Sequence, residues 1–108
     1  MSTPLRVGII GCGLIGRKRA VALAGAKLIA VCDLDRDRAD ALARTAHGCT
    51  AFTQPDELLA QQPDIVIVAT ANNTLAPLAL RSIRAGAQCL IKFKLTSFLF
   101  INFMIIHV

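Results

Sequence analysis

The sequence predicts an α/β fold, a doubly wound parallel sheet of five strands in the spatial order 3-2-1-4-5. Three observations carry this. Short apolar runs alternate with Ala-rich segments of helical length from the first residues onward. The first run ends in Gly-Cys-Gly and passes directly into a helical segment. The chain has 108 residues, enough for one domain and for one buried core. Strands alternating with helices of about a dozen residues imply right-handed βαβ crossovers and a parallel sheet.

The elements follow in order. Leu5–Ile10 is a short apolar run of the kind a doubly covered strand shows. Leu14–Ala24 has helical composition, with Gly25 as its stop. Lys27–Cys32 is the second strand and closes on Asp33. Arg36–His47 places Ala39, Leu42, Ala43 and Ala46 on one apolar face, with Asp35 as its N-cap and Gly48 as its end. Ala51–Phe52 is a short third strand. Thr53 is expected to cap a brief helix through Leu58 and Leu59, with Pro55 in its first turn. Pro63–Asp64 breaks it. Ile65–Ala69 is an apolar, β-branched fourth strand, Ala76–Ala85 the next helix, and Gln88–Ile91 a fifth strand.

Composition narrows the function. Hydrophobic residues make up 55% of the chain, which excludes the disordered class. Net charge is +5, unevenly placed. Residues 1–64 hold eight Lys/Arg and all seven Asp/Glu, a balance of +1, and residues 65–108 hold four cations and no acid. Arg81 and Arg84 fall near the end of one helix, where the dipole favours cations. There is no Trp or Tyr to interleave with base-stacking cations, so no nucleic-acid partner is expected. Cys12, Cys32, Cys49 and Cys89 form no C-x-x-C pair, and three of them read as small core hydrophobes. Free thiols without a leader-like segment point to a cytoplasmic setting.

The chemistry centres on Gly11-Cys12-Gly13-Leu14-Ile15-Gly16. Alone, a G-x-G-x-x-G string says little. Here it follows a strand, opens a helix, and has an acid, Asp33, 20 residues beyond Gly13 at the end of the second strand. Gly11 permits the tight turn, Gly13 lets a pyrophosphate approach the backbone, and Gly16 lets the helix pack close to the sheet. The N–H groups of Leu14 and Ile15, at the positive end of the helix dipole, face the phosphates. Asp33 accepts from the adenosine ribose hydroxyls and repels a 2′-phosphate, which favours NAD over NADP. Arg36 and Arg38 lie close by, and an Arg such as Arg38 can contact the ribose side or a 2′-phosphate. The reading is a Rossmann-type dinucleotide-binding domain over residues 1–91.

Arg17, Lys18 and Arg19 are placed in the first turns of the first helix, either supporting the phosphates or simply solvated. Ala69-Thr70-Ala71-Asn72-Asn73 leaves the fourth strand at the point where strand order reverses. Ala69, Thr70 and Asn72 are candidate contacts on the nicotinamide side, though turn and capping chemistry explains these types equally well. His47 reads as a cation near a helix end, and neither His47 nor His107 has a partner arrangement.

VGIIGCGLIGRKRA, AVCDLDRDRA, DIVIVATANNTLAPLAL and RAGAQCLI, in this order and spacing over residues 5–91, resemble the N-terminal domain of the Gfo/Idh/MocA family, the glucose–fructose oxidoreductase and inositol dehydrogenase family. The resemblance implies an NAD(P)-dependent oxidoreductase whose second α/β domain binds a sugar, polyol or related substrate. It also implies a Thr-Pro-Asn loop, where Ala71 replaces Pro, and a Glu-Lys-Pro motif after the fifth strand. Those positions are Lys92, Phe93 and Lys94, so the motif's Lys falls on Phe93. The expectation is a truncated cofactor domain without turnover of its own. The alternatives are a nucleotide-binding module paired with a separate substrate-domain chain, and a membrane-associated or aggregating remnant.

Residues 92–108 differ in composition. They hold four of the five Phe and no Ala, and from Phe98 to Val108 only Asn102 and His107 are polar. Eleven residues are too few for a bilayer span, which needs about 20. A packing end piece, a surface anchor and a non-native end are the open readings, and the abrupt change inside a strand favours the last. An exposed apolar edge there would promote self-association.

Overall fold

The computed structural model describes residues 3–92 and 103–106. The alternation seen in the sequence becomes β1 (Arg6–Ile10), α1 (Leu14–Ala20), β2 (Lys27–Cys32), α2 (Arg36–Ala43), β3 (Thr50–Phe52), α3 (Pro55–Leu59), β4 (Ile65–Val68), α4 (Asn72–Arg84), β5 (Gln88–Lys92) and β6 (Phe103–Ile106). The sheet order is β3-β2-β1-β4-β5-β6. The first five strands are parallel, as expected. β6 is an addition: four residues of the tail that pair antiparallel with β5.

Each central strand is buried on both faces, which is why its sequence is continuously apolar rather than alternating. Ile10, Ala30, Cys32, Val66 and Val68 pack with Leu58 and Leu59 of α3 and Leu78 and Ala79 of α4. Val7, Ile9, Leu28, Val31 and Ile67 pack on the other side with Ala39 and Leu42 of α2. Pairing of β1 with β2 skips Ile29, since Val7 faces Leu28 and Gly8 faces Ala30. Ile29 and Ala30 therefore both turn toward the α3–α4 layer.

Helix ends differ from the sequence expectation for local reasons. α1 stops at Ala20, not Ala24, and the chain turns through Ala24 (φ 50°) and Gly25 (φ 97°). Arg17, Lys18 and Arg19 consequently occupy the last turn, where the dipole favours cations, rather than the first. α2 ends at Ala43, and Asp35 caps it by accepting from the N–H groups of Asp37 and Arg38. Thr53 does not cap α3. Gln54 holds that position and makes no side-chain bond, and Pro55 at the first helical position needs no N–H partner. α4 begins at Asn72 rather than Ala76, so it carries Pro77 inside it.

Below the sheet, the Arg6 guanidinium donates to the carbonyls of Gln62 (2.7 Å) and Gln61 (2.9 Å). The Asp64 carboxylate accepts from the Arg6 N–H at 2.9 Å. These bonds satisfy carbonyls beyond the end of α3, where Gln62 has φ 55°. Arg81 of α4 pairs with Asp56 of α3. Arg6→Ala is expected to lower the unfolding free energy by about 1 kcal/mol, through loss of bonds to carbonyls that water can partly satisfy. Urea unfolding followed by circular dichroism measures it, and an unchanged midpoint would remove this brace from the account.

Candidate dinucleotide-binding site

The site is built where β1, β2 and β4 end. Above β1 the ladder continues into the loop: the N–H of Gly11 donates to the Cys32 carbonyl at 2.8 Å, and the N–H of Ala69 donates to the Ile10 carbonyl at 2.8 Å. At two positions, Gly11 and Gly16, there is room for nothing larger than glycine. Gly11 sits at φ 103°, and a β-carbon there would stand 2.7 Å from the Ala69 carbonyl group. A β-carbon on Gly16 would stand 1.9 Å from the Gly11 carbonyl oxygen. Gly16 thus sets how closely α1 rests on the strand that feeds it. Beside Gly13 a β-carbon would meet nothing within 4 Å. That open flank lies at the N-terminus of α1, where the first intrahelical bond runs from the Arg17 N–H to the Gly13 carbonyl. The N–H groups of Leu14, Ile15 and Gly16 are left without intrahelical acceptors. Open backbone donors beside an absent side chain suit a pyrophosphate.

Asp33 is half-buried at the end of β2. Its carboxylate accepts from the Cys12 N–H at 2.8 Å and from the Asp35 N–H at 2.8 Å. Cys12 also donates its thiol to the Cys32 carbonyl at 3.3 Å. The structure therefore brings Gly11, Cys12, Gly16, Asp33, Ala69 and Thr70 together. Leu14 is exposed and Ile15 half-buried, in the first turn of α1. Arg38 is exposed and turned to Asp35, with 3.7 Å between them. Arg36 pairs with Asp40 at 3.2 Å. Asn72, read as a loop residue, is the first residue of α4 and is exposed. Thr74 was not legible as a site residue: its hydroxyl lies 2.7 Å from that of Thr70 and 2.8 Å from the Ala71 carbonyl. The four-residue spacing from Thr70 is the only sequence signal, and it acquires meaning once α4 is known to begin at Asn72. His47 is exposed. Phe93, Lys94 and His107 lie outside the described residues.

A family model described as an oxidoreductase family with an NAD-binding Rossmann fold, that of the Gfo/Idh/MocA proteins, matches residues 5–92. The chain belongs to the Gfo/Idh/MocA family. Inositol 2-dehydrogenase 4 of Saccharopolyspora erythraea is 38% identical over 97 residues, covering 85% of this chain and 29% of that protein. Among solved structures, GenD2 from gentamicin A biosynthesis in complex with NAD superposes with a TM-score of 0.79 at 32% identity, covering 86% of this chain and 28% of that one. Myo-inositol dehydrogenase from Lactobacillus casei in complex with NAD(H) and myo-inositol gives 0.77 at 25% identity, covering 82% and 28%. The chain thus spans under a third of the length of these relatives. Residues 5–92 form an NAD-binding Rossmann fold of this family. No helix among the described residues is long and apolar enough to cross a membrane.

The cysteines of this Gfo/Idh/MocA domain are all free, and Cys12, Cys32 and Cys89 are buried. Burial, then the Asp33 carboxylate, pushes the Cys12 thiol up to about 12. The same two causes raise Cys32 to about 11. Burial raises Cys49 and Cys89 to about 11. The thiols therefore serve as packing groups rather than nucleophiles. In the unfolded chain they ionise near 9. Their contribution to stability is whole below that pH and is lost as pH rises toward 11 and 12, because only the unfolded chain releases the protons. The thermal midpoint is expected to fall steadily above pH 9, and a flat profile from pH 8 to 11 would contradict these shifts. Gly16→Ala is expected to cost about 2 kcal/mol or more in unfolding free energy, since the Gly11 carbonyl must move. Gly13→Ala should leave stability within about 0.5 kcal/mol. Equal effects of the two substitutions in urea titrations would refute this division of roles.

Proposed function

We propose that this chain binds NAD in preference to NADP and acts as the cofactor half of a hydride-transferring oxidoreductase. In this reading the glycine loop takes the pyrophosphate through the N–H groups of Leu14, Ile15 and Gly16, and Asp33 takes the adenosine ribose hydroxyls. Ala69 and Thr70 flank the crevice toward the nicotinamide, with Thr74 behind Thr70. The observation that carries the proposal is the placement of Asp33. Its carboxylate stands at the end of β2, bonded to the loop at Cys12, beside the open flank of Gly13. A negative charge there accepts from ribose hydroxyls and repels a 2′-phosphate. The two arginines that could welcome such a phosphate are engaged instead, Arg36 with Asp40 and Arg38 with Asp35.

The residues fit the group. Bound NAD supplies the hydride acceptor. The chain's own groups bind and orient it: backbone donors hold the phosphates, and the rigid ends of β1 and β4 set the crevice width. Groups that bind the substrate and move its proton are supplied by protein beyond these residues. A sugar, a polyol or a related alcohol is the substrate class, as the names of the inositol dehydrogenase relatives suggest. Within this reading residues 1–91 are the cofactor-binding unit, and Phe103–Ile106 of the end segment extend its sheet as β6.

Calorimetric titration of the folded chain with NADH and with NADPH tests the proposal. NADH is expected to saturate a single site and to bind at least tenfold more tightly than NADPH. Asp33→Ala is expected to weaken NADH by about tenfold to a hundredfold, the range that hydrogen bonds to a charged acceptor span. Gly13→Ala should weaken NADH without unfolding the chain. Tighter binding of NADPH, or no binding of either by folded protein, would overturn the reading.

A further inference from the structure

Asp33 makes a contact that ribose recognition does not require. Its Oδ2 accepts from the Cys12 N–H at 2.8 Å, 21 residues away in sequence and inside the glycine loop. Its Oδ1 accepts from the Asp35 N–H at 2.8 Å. The second bond is a local turn contact, but the first joins two elements. Two more bonds tie the same stretch of loop to β2: the N–H of Gly11 and the thiol of Cys12 both donate to the Cys32 carbonyl, at 2.8 and 3.3 Å. The first two loop residues are thereby committed to β2, which leaves the following N–H groups for a ligand. A carboxylate offers about four acceptor sites. With one used on each oxygen, capacity remains for two ribose hydroxyls without releasing the loop.

We propose that Asp33 is a positioning residue for the pyrophosphate loop as well as a ribose ligand, acting on the diphosphate through the Cys12 backbone. The inference rests on the cofactor reading above. It has a consequence for specificity: neutralising Asp33 to admit a 2′-phosphate also slackens the loop that must hold the pyrophosphate. An amide keeps the size of the side chain but has only one oxygen to accept with, so Asp33→Asn cannot serve Cys12 and Asp35 as the carboxylate does.

The affinities of ADP and of 2′,3′-dideoxy-ADP for the wild-type chain and for Asp33→Asn separate the two tasks. The dideoxy ligand lacks the hydroxyls that Asp33 would hold. If Asp33 served the ribose alone, the substitution would leave dideoxy-ADP binding unchanged or tighten it, because a negative charge near the diphosphate is removed. The brace predicts the opposite sign, a loss of about three- to tenfold for the dideoxy ligand, as for one hydrogen bond. ADP should lose more, since it forfeits the ribose contacts as well. In the ligand-free wild-type chain, the Cys12 amide should exchange more slowly with deuterium than the Gly13 amide. Equal exchange of the two overturns the brace even if Asp33→Asn fails to fold. Unchanged or tighter dideoxy-ADP binding in folded Asp33→Asn overturns this inference and leaves the cofactor reading standing. Failure of ADP to bind the folded wild-type chain overturns both.

Discussion

At the end of β1 three pieces of backbone come closer than any side chain would allow. The Gly11 carbonyl lies where a β-carbon of Gly16 would be, and the peptide after Ala69 lies where a β-carbon of Gly11 would be. This contact sets the height of α1 above the sheet and the spacing between β1 and β4. The crevice between those strands, where the sheet's winding reverses, is the place that an open α/β sheet offers a ligand. Everything that makes the site usable follows from it. The helix N-terminus points its free donors across the flank of Gly13, and Asp33 meets the loop from the side of β2.

The rest of the domain supports this arrangement with ordinary means. Two apolar layers hold the strands, one with α3 and α4 and one with α2. Cys12 and Cys32, the two cysteines nearest the loop, add small volume and one thiol bond, and burial keeps them protonated. The charged residues sit mostly outside. Arg36 and Arg38 balance helix acids, and Arg81 ties α4 to α3. Arg17, Lys18 and Arg19 complete the last turn of a short helix, so their position is explained by the dipole without any ligand.

As a Gfo/Idh/MocA family member, the chain carries the family's NAD-binding Rossmann fold over residues 5–92. The inositol dehydrogenases and GenD2 are about three times its length. Division of labour between a cofactor unit and a substrate unit is physically reasonable. Binding and orientation of the dinucleotide depend on strand ends and a glycine loop, whereas substrate choice depends on side chains that can vary without disturbing them.

Much of this was legible in the sequence because it depends on local backbone chemistry. A glycine loop between a strand and a helix, an acid at the end of the next strand, an Asp cap before α2 and a β-branched run at β4 each announce themselves through residue types whose conformational demands are strong. Parallel order follows from alternation and handedness. What needed the tertiary structure are features set by contacts between distant segments. The bond from Cys12 to Asp33, the pairing of Arg6 with the turn after α3, and the hydroxyl contact of Thr74 with Thr70 link residues that share no local signal. Helix ends depart from the local pattern for a related reason: Ala22, Leu23 and Ala24 favour helix, yet the chain must turn there to enter β2, and tertiary closure outweighs a propensity of a few tenths of a kcal/mol, about the difference between ordinary residues. β6 was hidden likewise, since antiparallel pairing with β5 follows from available edge hydrogen bonds and not from any periodicity of its own. The sequence by itself determined the fold, its order and the nucleotide loop, because these rest on glycine's missing side chain and on uninterrupted apolar runs. Only the tertiary structure decided which donors remain free for a ligand, because that depends on which ones other parts of the chain have already taken.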